Sequence, residues 1–269
     1  MSTSEYKTFT LGATLTPEQT EFFDTNGFLH FRQFLTPQDV QNVIDALHEI
    51  EELWIAQDLK MVNGTPIKYG KDIDGRKIVQ RFCFASLYHK VLHDVLMDPR
   101  FQGLTNLLDE PARIGENEKD GMVVNHTINT ENSKYSRLGW HTDSLRDVFM
   151  GKKIQPMLNV GVHLNDYPFT KGGLRIIPGT HKQKLWSMLF RKKYFVDNKP
   201  DPEEVGFDIQ MGDLTVHDGR LWHRVEQSGL VGEESRRRVI YTPIIAGKKH
   251  LKHANSRTPV YHRLQGFLK

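Results

Sequence analysis

The spacing of apolar positions divides the chain near residue 110. Before that point helical patterns dominate. Thr16-Pro17-Glu18-Gln19 reads as a helix start, with Thr16 as N-cap, proline at the first helical position and glutamine at the third. Phe22 and Phe23 supply the apolar face and Gly27 ends it; residues 27–31 then read as a short strand. Thr36-Pro37-Gln38-Asp39 repeats the start signal, and Val40, Val43, Ile44, Leu47 and Ile50 follow at helical spacing. A further helical stretch is expected over about 86–108, through Leu87, Val91, Leu92, Val95, Leu96, Phe101, Leu104 and Leu107.

After Glu110 the pattern changes to short β runs separated by turn residues. The clearest cover 122–128, 157–164, 174–177, 214–217 and 239–241. Many short strands with Gly, Pro, Asn and Asp between them suggest a sandwich or barrel. The expected organisation is one domain over 1–269, helix-rich at 15–110, with a β core over about 112–246. An insertion is read at 186–207, opening apolar and basic and then turning polar around Pro200 and Pro202. It is either a solvated loop or a wall of a substrate pocket.

Composition narrows the class without naming it. At 269 residues, with 38% hydrophobic and 26% charged residues, the chain can bury a core like other water-soluble domains. A net charge of +3, spread along the sequence, does not indicate nucleic-acid binding. No apolar run is long enough for a membrane helix. The start at Met1-Ser2-Thr3-Ser4 lacks the basic and apolar regions of a signal peptide. A lone cysteine, Cys83, excludes a disulfide framework and suits a reducing compartment, so a cytoplasmic location is expected.

The chemistry centres on His141-Thr142-Asp143. In an extended segment, side chains two apart point the same way, so His141 and Asp143 can reach one ion while Thr142 faces away. Two imidazoles and one carboxylate make the facial triad of non-haem Fe(II) oxygenases, which leaves positions open for a cosubstrate and O2. His223, in the β-leaning run Leu221-Trp222-His223-Arg224-Val225, suits the third ligand. With 13 histidines in the chain an HxD motif alone is weak evidence, and His217, His163 and His126 are rivals. Zinc is the rival metal.

Four landmarks give a resemblance. They are the N-terminal Leu15-Thr16-Pro17, Asn26-Gly27-Phe28-Leu29 and Phe34-Leu35-Thr36-Pro37 group; Trp140-His141-Thr142-Asp143; Gly172-Gly173-Leu174-Arg175-Ile176-Ile177-Pro178-Gly179-Thr180-His181; and Gly212-Asp213 with His223 and Arg236-Arg237-Arg238 after it. In this order they resemble the phytanoyl-CoA dioxygenase family of Fe(II)/2-oxoglutarate oxygenases, over about residues 15–245.

The resemblance implies a mixed α+β, mainly β fold: a double-stranded β-helix, or cupin-like jelly roll, with helices packed on the sheet. It implies His141, Asp143 and His223 as metal ligands, the spacing from Gly212-Asp213 selecting His223 over His217. It implies Fe(II), 2-oxoglutarate and O2, with release of succinate and CO2 and oxidation, by default hydroxylation, of a small molecule. An arginine on the strand after the distal histidine would hold the far carboxylate of 2-oxoglutarate. Arg237 aligns best, ahead of Arg236 and Arg238. Asn125, Thr127 and Asn159 are softer candidates for cosubstrate contacts, equally readable as ordinary strand residues. Arg191, Lys192 and Lys193 could meet an anionic substrate, although a solvated surface is the simpler reading. An inactive metal-binding relative and a zinc-dependent cupin-like enzyme are the alternatives.

Overall fold

The computed structural model describes residues 6–130, 138–145, 147 and 153–258. The opening residues 1–5, part of the segment weighed as a signal peptide, lie outside the described residues. Two antiparallel sheets carry the molecule. The larger has strand order β1-β12-β9-β14-β7-β5-β4, with β6 also on β14. These strands are β1 (Phe28–Phe31), β4 (Lys68–Lys71), β5 (Lys77–Phe82), β6 (Ala112–Ile114), β7 (Val123–Thr127), β9 (Met157–His163), β12 (Leu214–Asp218) and β14 (Arg237–Ala246). The smaller sheet runs β11-β10-β13-β8, from β11 (Val205–Gly206), β10 (Gly173–Ile176), β13 (His223–Glu226) and β8 (Leu138–His141). A separate two-stranded hairpin joins β2 (Met61–Val62) to β3 (Thr65–Pro66).

Alternation along the large sheet sorts its two faces. One face carries Leu29, Phe31, Val124, Leu158, Val160, Val162, Leu214, Val216, Ile240 and Ile244, all in the main apolar core. The helices close that core from outside. Helix α1 (Pro17–Asn26) and helix α2 (Pro37–Ala56) both begin with the expected capping box: Thr16 and Thr36 accept from the backbone N–H groups of Gln19 and Asp39. Val40, Val43, Leu47, Ile50 and Trp54 then line the buried stripe of α2. The opposite face is polar: Arg237, Tyr241, Thr127, Asn125, His163, Asn159, Thr215 and His217 share it by register. It is the face turned toward the small sheet, since Arg237 and Thr127 line one small cavity together with Val225 and Glu226 of β13.

Two expectations need correction. The stretch 86–108 is not one helix. It breaks into a 3-10 turn (Ala85–Leu87), α3 (Lys90–Met97), α4 (Pro99–Gly103) and a second 3-10 turn (Leu104–Leu107). Pro99 is the reason: it disfavours helical backbone at Asp98, whose carboxylate instead caps α4 by accepting from Arg100 N. The helix-rich part also contains β2 to β5, which the periodicity reading passed over. Lys77-Ile78-Val79-Gln80-Arg81-Phe82 does not alternate cleanly, yet it joins the sheet through Arg81 and Phe82 opposite Asn125 and Val124.

The glycine-rich motif between the two halves of the triad positions His223. Gly179, at φ 75°, donates its N–H to Asn26 O at the end of α1. Thr180 Oγ1 donates to Ile177 O and accepts from Trp222 N, while Ile177 N donates to Trp222 O. Both backbone groups of the residue before His223 are thereby fixed. Gly212 needs its φ of 86°, and a Cβ there would meet Leu35 O. Asp213 follows it and binds His30 Nε2 and Arg32, anchoring the start of β12 to β1.

Candidate metal site

His141 ends β8 and His223 begins β13, and the two residues lie opposite each other in the small sheet. Asp143 follows two residues after His141. One donor atom from each of the three lies within 4.8 Å of the other two. The tautomers follow from the backbone. His141 Nδ1 donates to Gly139 O at 2.8 Å and His223 Nδ1 donates to Leu221 O at 3.0 Å. Each ring is thus held with a bare Nε2 toward the shared point. Burial keeps both imidazoles below the ordinary histidine range, and for His223 the neighbouring His141 and His217 add to this. Burial opposes charge on Asp143, yet its carboxyl stays well below its usual range. Two neutral nitrogen lone pairs and a carboxylate facing one another repel; a divalent cation between them removes the repulsion. The donor set fits a metal on this ground.

The rival histidines separate by partner. His163 Nε2 meets Thr215 Oγ1 at 3.0 Å, and His126 Nε2 accepts from Arg236 at 2.7 Å. His217 is different: its Nε2 lies 3.6 Å from Asp143 Oδ2, beside the triad. Asn159 donates to the same Oδ2 at 3.2 Å, so it touches the Asp143 carboxylate, a contact the sequence reading did not foresee.

The three arginines divide by strand alternation. Arg236 turns outward into a buried cluster, donating to Asp72, Glu233 and His126. The Arg238 guanidinium, half-buried, has its charge disfavoured first by burial and then by Arg236. Arg237 turns inward. Its guanidinium donates to Tyr241 Oη at 3.0 Å, and Thr127 lies opposite it on β7. Tyr241 is paired with Gly161, two residues from Asn159, so the guanidinium reaches along β14 toward the triad end. Asn125 and Thr127 are half-buried on the same inner face.

The Arg236 cluster makes stability pH-dependent. Burial and the flanking arginines push His126 down to about 3. The unfolded ring titrates near 6.5. Between these values the unfolded chain binds more protons, so this contribution is full above pH 6.5 and is lost as pH falls toward 3. From pH 7 to pH 4 the loss should be on the order of 3 kcal/mol, measured by urea unfolding. A His126→Gln variant should lose that share of the slope; a slope equal to the parent's contradicts the assignment.

The insertion is largely exposed, yet it is ordered by hydrogen bonds to the small sheet. It begins as helix α5 (Leu185–Phe190) and ends in β11. Between them it pairs along β8: Trp140 N donates to Asp197 O, Phe195 N to Trp140 O, and Trp140 Nε1 to Lys199 O. Phe195, at φ 61°, stacks on the His141 ring with centroids 4.9 Å apart, and the Tyr194 hydroxyl donates to Thr142 O. Sequence reasoning missed both aromatics; the signal was Gly139, immediately before Trp140-His141. Residues 189–194 and 196–199 line an open cleft of about 700 Å³, of which Tyr194 is the member that also meets His141. Arg191 and Lys192 are balanced within the insertion by Glu203 and Asp201, which weakens the case for an anionic substrate.

A Cβ on Gly139 would lie 2.6 Å from Phe195 O and 2.7 Å from Asp197 O. Both atoms are backbone, so Gly139→Ala should push the insertion off β8, at a cost of about 1–3 kcal/mol. Trypsin should then cut after Arg191, Lys192 or Lys193 roughly tenfold faster or more. Unchanged cleavage would mean the insertion is held by something else.

Comparisons with known proteins come to the same architecture. The family model described as phytanoyl-CoA dioxygenase (PhyH) matches residues 23–229. No curated protein sequence matches significantly. Among solved structures, the chain is similar to AviO1 from Streptomyces viridochromogenes Tue57, with TM-score 0.61, 18% identity, and 91% of this chain and 100% of that one covered. It is similar to SnoK, a non-haem α-ketoglutarate-dependent carbocyclase from nogalamycin biosynthesis, with TM-score 0.63, 16% identity and coverage of 96% and 94%. It is also similar to EctD from S. alaskensis with 2-oxoglutarate and 5-hydroxyectoine, with TM-score 0.62, 17% identity and coverage of 95% and 85%. At these identities the likeness establishes the jelly-roll fold.

Proposed function

The chain belongs to the phytanoyl-CoA dioxygenase family, and from that premise we propose that it is an Fe(II)- and 2-oxoglutarate-dependent oxygenase that hydroxylates a small molecule. The observation that carries the reading is the convergence of His141, Asp143 and His223, with donor atoms within 4.8 Å of one another. Iron bound there would supply O2 activation coupled to decarboxylation of 2-oxoglutarate. The 2-oxoglutarate bound by EctD, a structure of the same fold, supports the cosubstrate.

The protein's own residues have positioning and exclusion to do. Gly139 O and Leu221 O keep His141 and His223 in the ligating tautomer. Asn159 restrains the Asp143 carboxylate. Arg237, with Tyr241 to orient it, offers a planar fork suited to the far carboxylate of 2-oxoglutarate, and Thr127 and Asn125 lie beside it. Phe195, Tyr194 and the rest of 189–199 form the wall against which the substrate would lie. Tyr194 is the residue of that wall that meets the site, its ring edge-on to His141 with centroids 6.3 Å apart.

The test is 2-oxoglutarate turnover without added substrate. Purified protein with Fe(II), 2-oxoglutarate and O2 should form succinate slowly, and the rate should rise when the right small molecule is supplied. Metal binding with no succinate formed would favour an inactive relative or a zinc enzyme.

A further inference from the structure

We propose that His217 is a positioning residue of the metal site, which acts with Asn159 to fix the carboxylate of Asp143. The inference rests on the metal reading above and adds a residue to it. His217 lies on the inner face of β12, directly opposite Asn159 on β9. Both side chains converge on one atom: Asn159 Nδ2 donates to Asp143 Oδ2 at 3.2 Å, and His217 Nε2 stands 3.6 Å from the same oxygen. His217 is 2% exposed, and its Nε2 has no partner within 3.5 Å among the described residues. A buried polar atom without a partner is costly, so such a group needs an explanation in the site it faces. The other groups near it are committed. His223, whose ring lies 4.5 Å away, gives Nδ1–H to Leu221 O and turns Nε2 to the triad. Among the described residues, the Asp143 carboxylate is the acceptor that His217 Nε2 faces. Asp143 is also the triad member with most need of support, because it follows the end of β8 where both histidines are held by strand backbone. Two donors from adjacent strands would hold Asp143 Oδ2 in place.

The experiment uses Co(II) alone as probe, added to metal-free protein and followed by its visible d–d absorption. His217→Phe keeps a flat ring and removes the donor; His217→Gln restores a donor. The parent protein must bind Co(II) first, and if it does not, the metal reading fails rather than this inference. With binding established, His217→Phe should weaken Co(II) about 10–100-fold, the usual effect of removing a residue that orients a ligand. Its d–d spectrum should change, and His217→Gln should recover most of the affinity and the parent spectrum. Should the phenylalanine variant not fold, His217→Leu takes its place. Parent-like affinity and spectrum in the apolar variant would reduce His217 to packing and overturn the proposal. Equal loss in the apolar and glutamine variants, with spectra of a site one imidazole poorer, would make His217 a fourth ligand and overturn it as well.

Discussion

His223→Ala should abolish turnover and leave the fold standing. Outer partners of a metal ligand are typically worth 10–100-fold in affinity or activity. Removing a ligand should therefore cost more than about 100-fold in Fe(II) affinity, and 2-oxoglutarate turnover should fall to background. Asp143→Ala should do the same. The fold should survive because Trp222, on the chain just before His223, keeps both backbone bonds to the Gly-rich motif. Metal titration and succinate assay on the same preparation check the two halves together. Full turnover in His223→Ala would return the third position to His217, the one rival histidine beside Asp143.

Arg237→Ala and Arg236→Ala should fail in different ways. In the proposed role Arg237 makes charge-assisted bonds worth about 1.5–3 kcal/mol each. Its loss should raise the KM for 2-oxoglutarate on the order of 10–100-fold and leave metal affinity alone. Arg236 faces the other side of the sheet and holds buried Asp72. Removing it takes from that carboxylate its buried guanidinium partner and leaves it Ile73 N and Arg76, which should cost about 1.5–3 kcal/mol of stability with no change in the KM for 2-oxoglutarate. Urea unfolding and steady-state kinetics on both variants separate the effects. A raised KM in Arg236→Ala, with Arg237→Ala unaffected, would put the cosubstrate on the opposite face of β14.

Much of the frame was legible because local rules agreed with the global fold. Thr16 and Thr36 cap their helices as their sequences indicate, and short β-forming runs between turn residues located β7, β9 and β12. Alternation alone placed Arg237 on one face and Arg236 and Arg238 on the other. The break at Pro99 was readable from proline chemistry but was outvoted by eight apolar residues at helical spacing. The path of the insertion was not readable. Its pairing with β8 depends on Gly139 lacking a Cβ and on Phe195 adopting positive φ, neither of which leaves a periodic signal. Nor could spacing reveal that Asn159 and His217 meet at Asp143, because that contact is made by the register of β9 and β12.

The most direct test of the account is anaerobic. Fe(II) and 2-oxoglutarate are added to metal-free protein, and the solution is watched for the weak visible charge-transfer absorption of 2-oxoglutarate chelated to iron at an open facial site. The account predicts that the band appears, requires both components, and disappears on admission of O2 as succinate forms. Metal binding without the band would contradict it.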